Sequence, residues 1–240
     1  MKPYYKGIIM ILLSSVLFSC VPSKEIRRPA VVTPAMLLQR TNLKGIDAFR
    51  ASVYIKAYEE DDYLGVYPGF LVFKRPDMLK LSMNGPFGIV LMEIVFLRGD
   101  LLLYMPSKDL AYKGTLSFKK LLFTDEELLA LDHRMEKRNS EYLLLFYKKA
   151  RKDPLVIYRF DTEHLSWRGF DLYNRGKRVL KVTINRLEGN LPVDFNVKTG
   201  RYSLHISLSD TEINPSLKEG LFRLPDSSKV RPLGLFRGWL

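Results

Sequence analysis

The sequence predicts a mainly β fold in which short helices interrupt and cover an antiparallel sheet. Residues 202–209 alternate strictly between apolar side chains and serine or histidine, which is typical of a strand with one solvated face. Turn sequences such as Arg75-Pro76-Asp77 and Asn174-Arg175-Gly176 separate such segments at short intervals. Short strands at this spacing predict an antiparallel meander, either a barrel or a strongly curved sheet.

Further strands are expected wherever alternation or a short apolar run is bounded by turn residues. They are predicted at residues 53–57, 69–73, 78–83, 89–97, 101–104, 142–148, 155–160, 167–173, 180–184 and 193–197.

Two helical segments are predicted. Thr33 is a suitable N-cap and Pro34 is favoured at the first helical position, so a short helix is expected over residues 34–40. In residues 117–131, Thr124 and Glu127 form a capping box ahead of leucines at helical spacing. An open sheet with an apolar inner face would otherwise expose a large patch. We therefore expect the second segment to cover the sheet as a lid.

The N-terminus has the features of an export signal. Lys2 and Lys6 flank the start of an apolar stretch, residues 7–18, that is shorter than the roughly 20 residues of a membrane span. Cys20, the only cysteine, cannot form an internal disulfide. The residues around Cys20 resemble the lipobox of bacterial lipoproteins. The alternative is an ordinary secretory signal with an incidental cysteine.

The lipobox resemblance implies a signal peptide over residues 1–19, a diacylglycerol group on Cys20 and a fatty acyl group, typically palmitate, on the new amino terminus. Several acyl chains on one residue form a lasting membrane anchor. Residues 20–34 are rich in proline and charge and predict a tether, followed by one folded domain over residues 35–240. Val21, where an aspartate would favour inner-membrane retention, indicates the periplasmic face of the outer membrane.

The net charge is +12 for the whole chain and +10 after loss of Lys2 and Lys6. A basic surface favours anionic partners such as lipid head groups or acidic proteins, although these cations could simply solvate the sheet. Export and the lack of a recognition motif argue against nucleic acid. We expect a monomer.

Some predicted strands are apolar on both faces. Residues 89–97 are apolar at eight of nine positions, and residues 101–105 are similar. Either helices cover one face while the core fills the other, or one face lines an apolar cavity. The anchor, the basic surface and the lid-like segment favour a cavity. Its candidate lining residues are Val53, Ile55, Phe73, Leu81, Leu91, Ile94, Leu102, Tyr104, Leu121 and Leu128.

The sequence gives little support for an enzyme. Its three histidines lie in unrelated contexts, without metal-binding spacing, nucleophile elbow or phosphate-binding glycine loop. The acidic run at residues 59–62 is most simply a solvated loop. We expect no catalytic residues, metal or cofactor.

Several motifs in order resemble one family. They are Phe73-Lys74-Arg75-Pro76-Asp77, Leu79-Lys80-Leu81, Asn84-Gly85-Pro86-Phe87-Gly88, Leu101-Leu102-Leu103-Tyr104, Tyr112-Lys113-Gly114 and the closing Leu221-Phe222-Arg223-Leu224-Pro225. In sum they resemble the lipoprotein-localisation carriers LolA and LolB, most closely the membrane-anchored receptor. The resemblance implies a half-open barrel, covered by short helices, that binds acyl chains of lipoproteins received from a soluble periplasmic carrier and inserts this cargo into the outer membrane.

The resemblance also implies roles for individual residues. Pro86, Phe87 and Gly88 match a loop that assists membrane insertion, although Phe87 could instead fold onto the core. Arg75 matches an arginine that contacts the lid, or it is an ordinary turn residue. Two alternative functions stay open: a structural or interaction lipoprotein of the envelope with the same fold, and a carrier of free phospholipid or glycolipid. The tail at residues 230–240 could be a last strand, a lid or a membrane-touching segment.

Overall fold

In the computed structural model, alternating apolar segments pair into one continuous sheet. The structure describes residues 31–41, 45–115, 128–149, 152–223 and 229–232. The chain divides into Met1–Val32 and a compact unit, Thr33–Leu240, and the fold described here is that of the second unit. The predicted signal peptide, Cys20 and most of the tether lie outside the described residues.

The described strands number fourteen. They are β1 (Ala48–Glu59), β2 (Asp62–Lys74), β3 (Met78–Asn84), β4 (Val90–Leu97), β5 (Asp100–Met105), β6 (Leu110–Thr115), β7 (Asp132–Arg138), β8 (Glu141–Tyr147), β9 (Pro154–Asp161), β10 (Trp167–Asn174), β11 (Lys177–Glu188), β12 (Leu191–Thr199), β13 (Tyr202–Ile213) and β14 (Lys229–Pro232).

The sheet is a meander with one rearrangement. Its order is β14-β6-β5-β4-β3-β2-β1-β13-β12-β11-β10-β9-β8-β7. Neighbours are antiparallel, except that β14 lies parallel to β6. Because β13 returns to pair with β1, the first and last strands of the main meander meet at the centre. The sheet is open, with β14 and β7 at its edges, which confirms the predicted mainly β, curved antiparallel architecture.

The first predicted helix is present and short. It spans Pro34–Leu38 (α1), and the Thr33 hydroxyl accepts a hydrogen bond from the Met36 amide at 3.3 Å. Its Leu37 and Leu38 are fully buried. Of the second predicted helical segment, residues 117–127 lie outside the described part, and Leu128 at its end is buried. Among the described residues, no helix is long and apolar enough to cross a membrane.

Strand prediction missed particular elements. β6 and β7 are absent from the predicted strands, β2 begins seven residues before the predicted start at residue 69, and residues 229–232, at the start of the tail, form a strand. This observation favours the last-strand interpretation of the tail for residues 230–232. Residues 233–240 lie outside the described part.

Candidate functional site

Strand register places two continuous apolar rows on one face of the sheet, here called the apolar face. Directly paired residues of antiparallel strands share a face. The first row runs from β1 to β6 through Ala51, Leu71, Leu81, Ile94, Leu103 and Tyr112. The second runs from β1 across β13 to β7 through Ala57, Leu204, Val197, Val182, Phe170, Tyr158, Leu144 and Met135. One face is therefore apolar along both rows across thirteen strands.

The apolar face is only partly covered. Near the middle of the sheet, Val53, Ile55, Val193 and Leu208 form a buried cluster. Around it, Tyr67, Leu71, Leu81, Met83, Leu204 and Ile206 are half-buried and pack against its edge. Most other residues of the two rows are also half-buried, which leaves apolar surface accessible on this face.

The predicted lining residues divide between the two faces. Val53, Ile55 and Phe73 belong to the buried cluster, and Leu81 pairs with Ile94 in the first row. Their positions agree with a common apolar surface, in which the first three form the floor.

Leu102 and Tyr104 do not share a face with Leu81 and Ile94. They pair with Val95 and Glu93, and therefore lie on the opposite face. Because a strand alternates its side chains, Leu101 and Leu103 occupy the apolar face instead. Residues 101–105 include no polar side chain, so the sequence does not show which alternate residues of this strand lie on which face of the sheet.

Two other predicted residues lie away from the rows, and a third is not described. Leu91 sits at an irregularity in the pairing of β3 with β4 and is exposed. Leu128 is buried next to the end of the predicted lid. Leu121 lies outside the described residues.

The connection between β3 and β4 projects an aromatic side chain into solvent. Pro86–Gly88 form a single 3-10 turn, closed by a hydrogen bond from the Ile89 amide to the Pro86 carbonyl at 3.4 Å, and the Gly85 amide donates to the Ile89 carbonyl at 2.8 Å across the base of the loop. Phe87 is 100% exposed and has φ +60, an uncommon conformation for a bulky residue. Its side chain therefore does not fold back onto the core.

Arg75 lies in an open groove at the other end of the same strands. The groove is lined by residues 47–48, 74–76 and 214–217. The Arg75 Nε atom donates to the Ile46 carbonyl at 2.8 Å, and the Arg75 amide donates to the Asp47 carbonyl at 2.8 Å. These contacts fasten the start of β1, while the predicted lid segment over residues 117–127 is outside the described part.

A polar cluster on the opposite face was not anticipated from the sequence. His205 Nε2 lies 3.0 Å from Asp194 Oδ2 and 3.2 Å from Ser207 Oγ, and that hydroxyl donates directly to Asp194 at 2.9 Å. A relay in a serine hydrolase needs serine and aspartate on different imidazole nitrogens, whereas here both contact Nε2. Cross-strand register brings these residues together, and separations of 11 and 13 positions give no motif.

Hydrogen bonding sets the charge state of this cluster. Burial by itself raises the pKa of Asp194, but hydrogen bonds from Asn185, His205 and Ser207 outweigh it, and the pKa lies below its usual value. The cluster therefore holds an ionised, fully engaged carboxylate. Among the described residues, no group of three or more His, Cys, Asp or Glu side chains is arranged to hold a metal ion.

Comparison with known proteins identifies the fold. No family model and no curated protein matches the sequence. A DUF1329 family protein from Desulfovibrio piger matches with a TM-score of 0.59 at 14% identity, covering 79% of this chain and 95% of that one. A LolA superfamily protein from Nitrosomonas europaea matches with a TM-score of 0.54 at 16% identity, covering 81% and 99%. A domain from Vibrio parahaemolyticus, described as an outer membrane lipoprotein-sorting protein, gives 0.56 at 12% identity, covering 78% and 95%. The fold is LolA-like.

Proposed function

We propose that this protein is a non-enzymatic lipoprotein of the outer membrane, comparable to LolB, that binds acyl chains of lipoprotein cargo and helps insert that cargo into the membrane. The observation that carries the proposal is the pair of apolar rows, which are continuous yet only partly covered. In this proposal Cys20 carries the anchor, residues 117–131 act as the lid, and a soluble periplasmic carrier delivers the cargo.

The apolar face has suitable dimensions and chemistry for an acyl chain. Six strands at about 4.8 Å spacing make the first row roughly 24 Å long. Each methylene group removed from water contributes about 0.8 kcal/mol. A half-buried row of leucine, isoleucine and tyrosine offers such burial without requiring a polar partner from the ligand.

The loop at Phe87 suits the release step. An aromatic side chain held fully in water by a backbone of positive φ is costly in solution and favourable at a bilayer interface. The proposal assigns Pro86, Phe87 and Gly88 to membrane insertion.

Acyl binding is tested with the chain from residue 20 onward carrying Cys20→Ala, which retains the whole compact unit. A fluorescent fatty-acyl probe is expected to bind, and Leu71→Gln to weaken that binding about tenfold or more, because it places an amide in the first row. Phe70→Gln is the matched control. Phe70 is the neighbouring residue of β2, lies on the opposite face and is exposed. No uptake, or equal loss in both variants, would contradict the proposal.

Cargo identity is tested by mass spectrometry of lipid and protein that copurify with the anchored chain. Acylated lipoprotein supports the proposal, whereas free phospholipid or glycolipid alone would identify a lipid carrier. Absence of any bound lipid, with no probe uptake, would favour a structural or interaction role.

The insertion loop is tested with Phe87→Glu and Phe87→Asn. Asn tolerates positive φ, so Phe87→Asn removes the aromatic ring while preserving the turn. Both variants are expected to fold normally and bind the acyl probe, but to release cargo into liposomes several-fold more slowly. Unchanged release in both would show that the loop is not the insertion device.

A further inference from the structure

Exposed apolar side chains concentrate at one end of the sheet. Fourteen large apolar residues are exposed in the described part of the chain. Half of them lie at this end, in three connections or the strand residues beside them. These seven residues, here called the apolar rim, are Tyr63, Leu64, Val66, Phe87, Ile89, Leu91 and Tyr202.

The three connections are neighbours. In the sheet order β4-β3-β2-β1-β13-β12, the β3–β4, β1–β2 and β12–β13 connections all close the same end. The β1–β2 and β12–β13 connections are level, because Glu59 pairs with both Asp62 and Tyr202, and at about 4.8 Å per strand they lie roughly 10 Å apart. The β3–β4 connection begins further back along the sheet, because Met83 pairs with Gly69 and residues 62–68 of β2 extend beyond β3. At the opposite ends of these strands, the exposed large apolar residues within the described ranges are Ile213 and Leu221, the latter in the Glu219–Phe222 turn whose Glu219 contacts Arg98. The rim is therefore a feature of one end and not a general property of the surface.

Charge at the rim is mixed. The β1–β2 connection carries the acidic residues 59–62, whereas Lys198 and Arg201 lie at the β12–β13 connection. Arg201 Nε contacts Glu59 Oε1 at 2.6 Å and its guanidinium lies 5.3 Å from the Tyr202 ring centroid. The β3–β4 connection, residues 85–89, has no charged residue. This balance differs from the strongly basic chain as a whole, whose net charge is +12.

We propose that the apolar rim is a bilayer-docking edge with at least two insertion points, in which Tyr63 and Leu64 at the β1–β2 connection enter the interface as well as Phe87. This inference rests on the proposed function and extends it, because it fixes which end of the sheet faces the membrane. The occupant is a zwitterionic bilayer surface. Apolar and aromatic side chains partition into its interface, and a rim of mixed charge matches a surface that carries both signs. A strongly anionic surface would repel the acidic tip of the β1–β2 connection.

The test measures flotation of the Cys20→Ala chain from residue 20 onward with vesicles of phosphatidylcholine and phosphatidylethanolamine. The double variant Tyr63→Ser/Leu64→Ser is expected to lower the partition coefficient about tenfold, because two large apolar side chains are lost from the contact. The matched control is Ile213→Ser, at the other end of the sheet, since Ile213 is 48% exposed and Tyr63 is 58% exposed. The control is expected to leave partitioning unchanged.

Varying the salt concentration and the charge of the lipid distinguishes docking through the apolar rim from non-specific electrostatic attraction between a basic protein and the vesicles. Partitioning through the rim is expected to persist in about 0.5 M salt, where the Debye length is only a few ångströms. Phosphatidylglycerol is expected not to increase it. Binding that requires anionic lipid and disappears in salt would overturn the proposal.

Uptake of the acyl probe distinguishes membrane docking by the apolar rim from acyl binding along the two apolar rows. Tyr63→Ser/Leu64→Ser is expected to retain probe uptake while losing vesicle partitioning, and Leu71→Gln to do the reverse. If Tyr63→Ser/Leu64→Ser retained vesicle partitioning but stopped cargo transfer, the rim would bind a protein and the bilayer proposal would be wrong. If the Cys20→Ala chain took up no probe while Tyr63→Ser/Leu64→Ser still lowered vesicle partitioning, the proposed function would be contradicted and the docking edge would stay supported.

Discussion

Asp161 organises the connection between β9 and β10 through its carboxylate. Its Oδ1 atom accepts hydrogen bonds from the Glu163 and His164 amides at 3.1 and 2.6 Å, and Oδ2 accepts from the Ser166 amide at 2.9 Å. Burial raises the pKa of Asp161, but the backbone hydrogen bonds and the nearby charge of Arg168 outweigh it and hold the pKa below its usual value. The native loop therefore stabilises the Asp161 side chain in its ionised form.

The pH dependence of Asp161 follows from that direction. Because the pKa is lower in the folded than in the unfolded protein, the carboxylate stabilises the fold at pH values above its unfolded pKa, near 3.9. This stabilisation is lost as the pH falls through the pKa of the folded protein. We expect Asp161→Ala to reduce the free energy of unfolding by about 1–3 kcal/mol at neutral pH. The deficit should shrink below about pH 4. Urea titrations at both pH values check this, with exposed Glu163→Ala as the control. A deficit independent of pH would contradict the assignment.

Gly169 occupies a position that other residues cannot adopt without strain. It has φ +125, and a Cβ atom there would lie 2.1 Å from the Val182 carbonyl oxygen. That oxygen also accepts a hydrogen bond from Arg159 Nη2 at 2.9 Å. We expect Gly169→Ala to lower the free energy of unfolding by roughly 3 kcal/mol or more.

Gly189→Ala is the matched control for Gly169→Ala. Gly189 has φ +59 but open space around its Cα, so the substitution should cost only about 1 kcal/mol from backbone conformation. Equal losses in thermal or urea unfolding would show that the contact with Val182 has no effect.

At the scale of elements, periodicity predicts the strands that carry apolar alternation and misses those that do not. Five of the seven residues of β7 are charged, because β7 is an edge strand and contributes little to the core. β2 includes Gly65 and Pro68. Glycine and proline usually indicate turns or loops, so the strand was predicted to begin at residue 69. Pairing of residues 62–68 with β1 overrides those local preferences.

The candidate site was predictable to a similar degree. Alternation identified Val53, Ile55 and strands β11, β12 and β13 of the second row, whereas residues 101–105 contain no polar side chain that would show which residues share a face. The sequence therefore did not separate Leu102 from its neighbours Leu101 and Leu103, which lie on the other face. The rim was not predictable, because it depends on which connections become neighbours when β13 pairs with β1.

Charges on both faces of β7 protect that edge of the sheet from pairing with another chain. Lys137 lies on the apolar-face side and contacts the Tyr142 ring at 5.9 Å, while Arg134 and Arg138 pair with Glu136 on the other side. Natural edge strands use such charges against aggregation. We expect Arg134→Val/Lys137→Val to associate in a concentration-dependent manner on size-exclusion chromatography with light scattering.

Arg186→Val/Lys181→Val is the control for the edge variant. It removes the same number of cations from the interior strand β11, where both neighbouring edges are already paired. If this variant associates to the same extent, lost net charge and not the open edge is responsible.

For the whole molecule, the contact between β1 and β13 joins the two series of strands into one sheet. β2–β6 extend from one side of β1, and β12–β7 extend from the far side of β13. Buried apolar residues line this junction, including Val53 opposite Leu208 and Ile55 opposite Ile206. Acyl binding along both rows requires the two series to remain one surface, so the junction links stability with the proposed function.

Asn214 secures the junction immediately after β13. Its Oδ1 atom accepts hydrogen bonds from the Asp47 and Ala48 amides at 2.8 and 3.2 Å, and its Nδ2 donates to the Gly45 carbonyl at 2.7 Å. Its φ is +53, so Asn214→Gly removes the side-chain hydrogen bonds without adding backbone strain.

We expect Asn214→Gly to lower the free energy of unfolding by about 1–3 kcal/mol, since each lost hydrogen bond contributes roughly 1 kcal/mol. Asn139→Gly, at a left-handed position (φ +49) in the β7–β8 turn, is the control and should cost a few tenths. If the junction couples the halves, the fluorescence of Trp167 in β10, measured with Trp239→Phe in every variant, and the far-ultraviolet circular dichroism of the whole chain will shift together in urea. A loss no larger than that of Asn139→Gly, or a change in dichroism that leaves the tryptophan transition in place, would show that the two series of strands unfold independently.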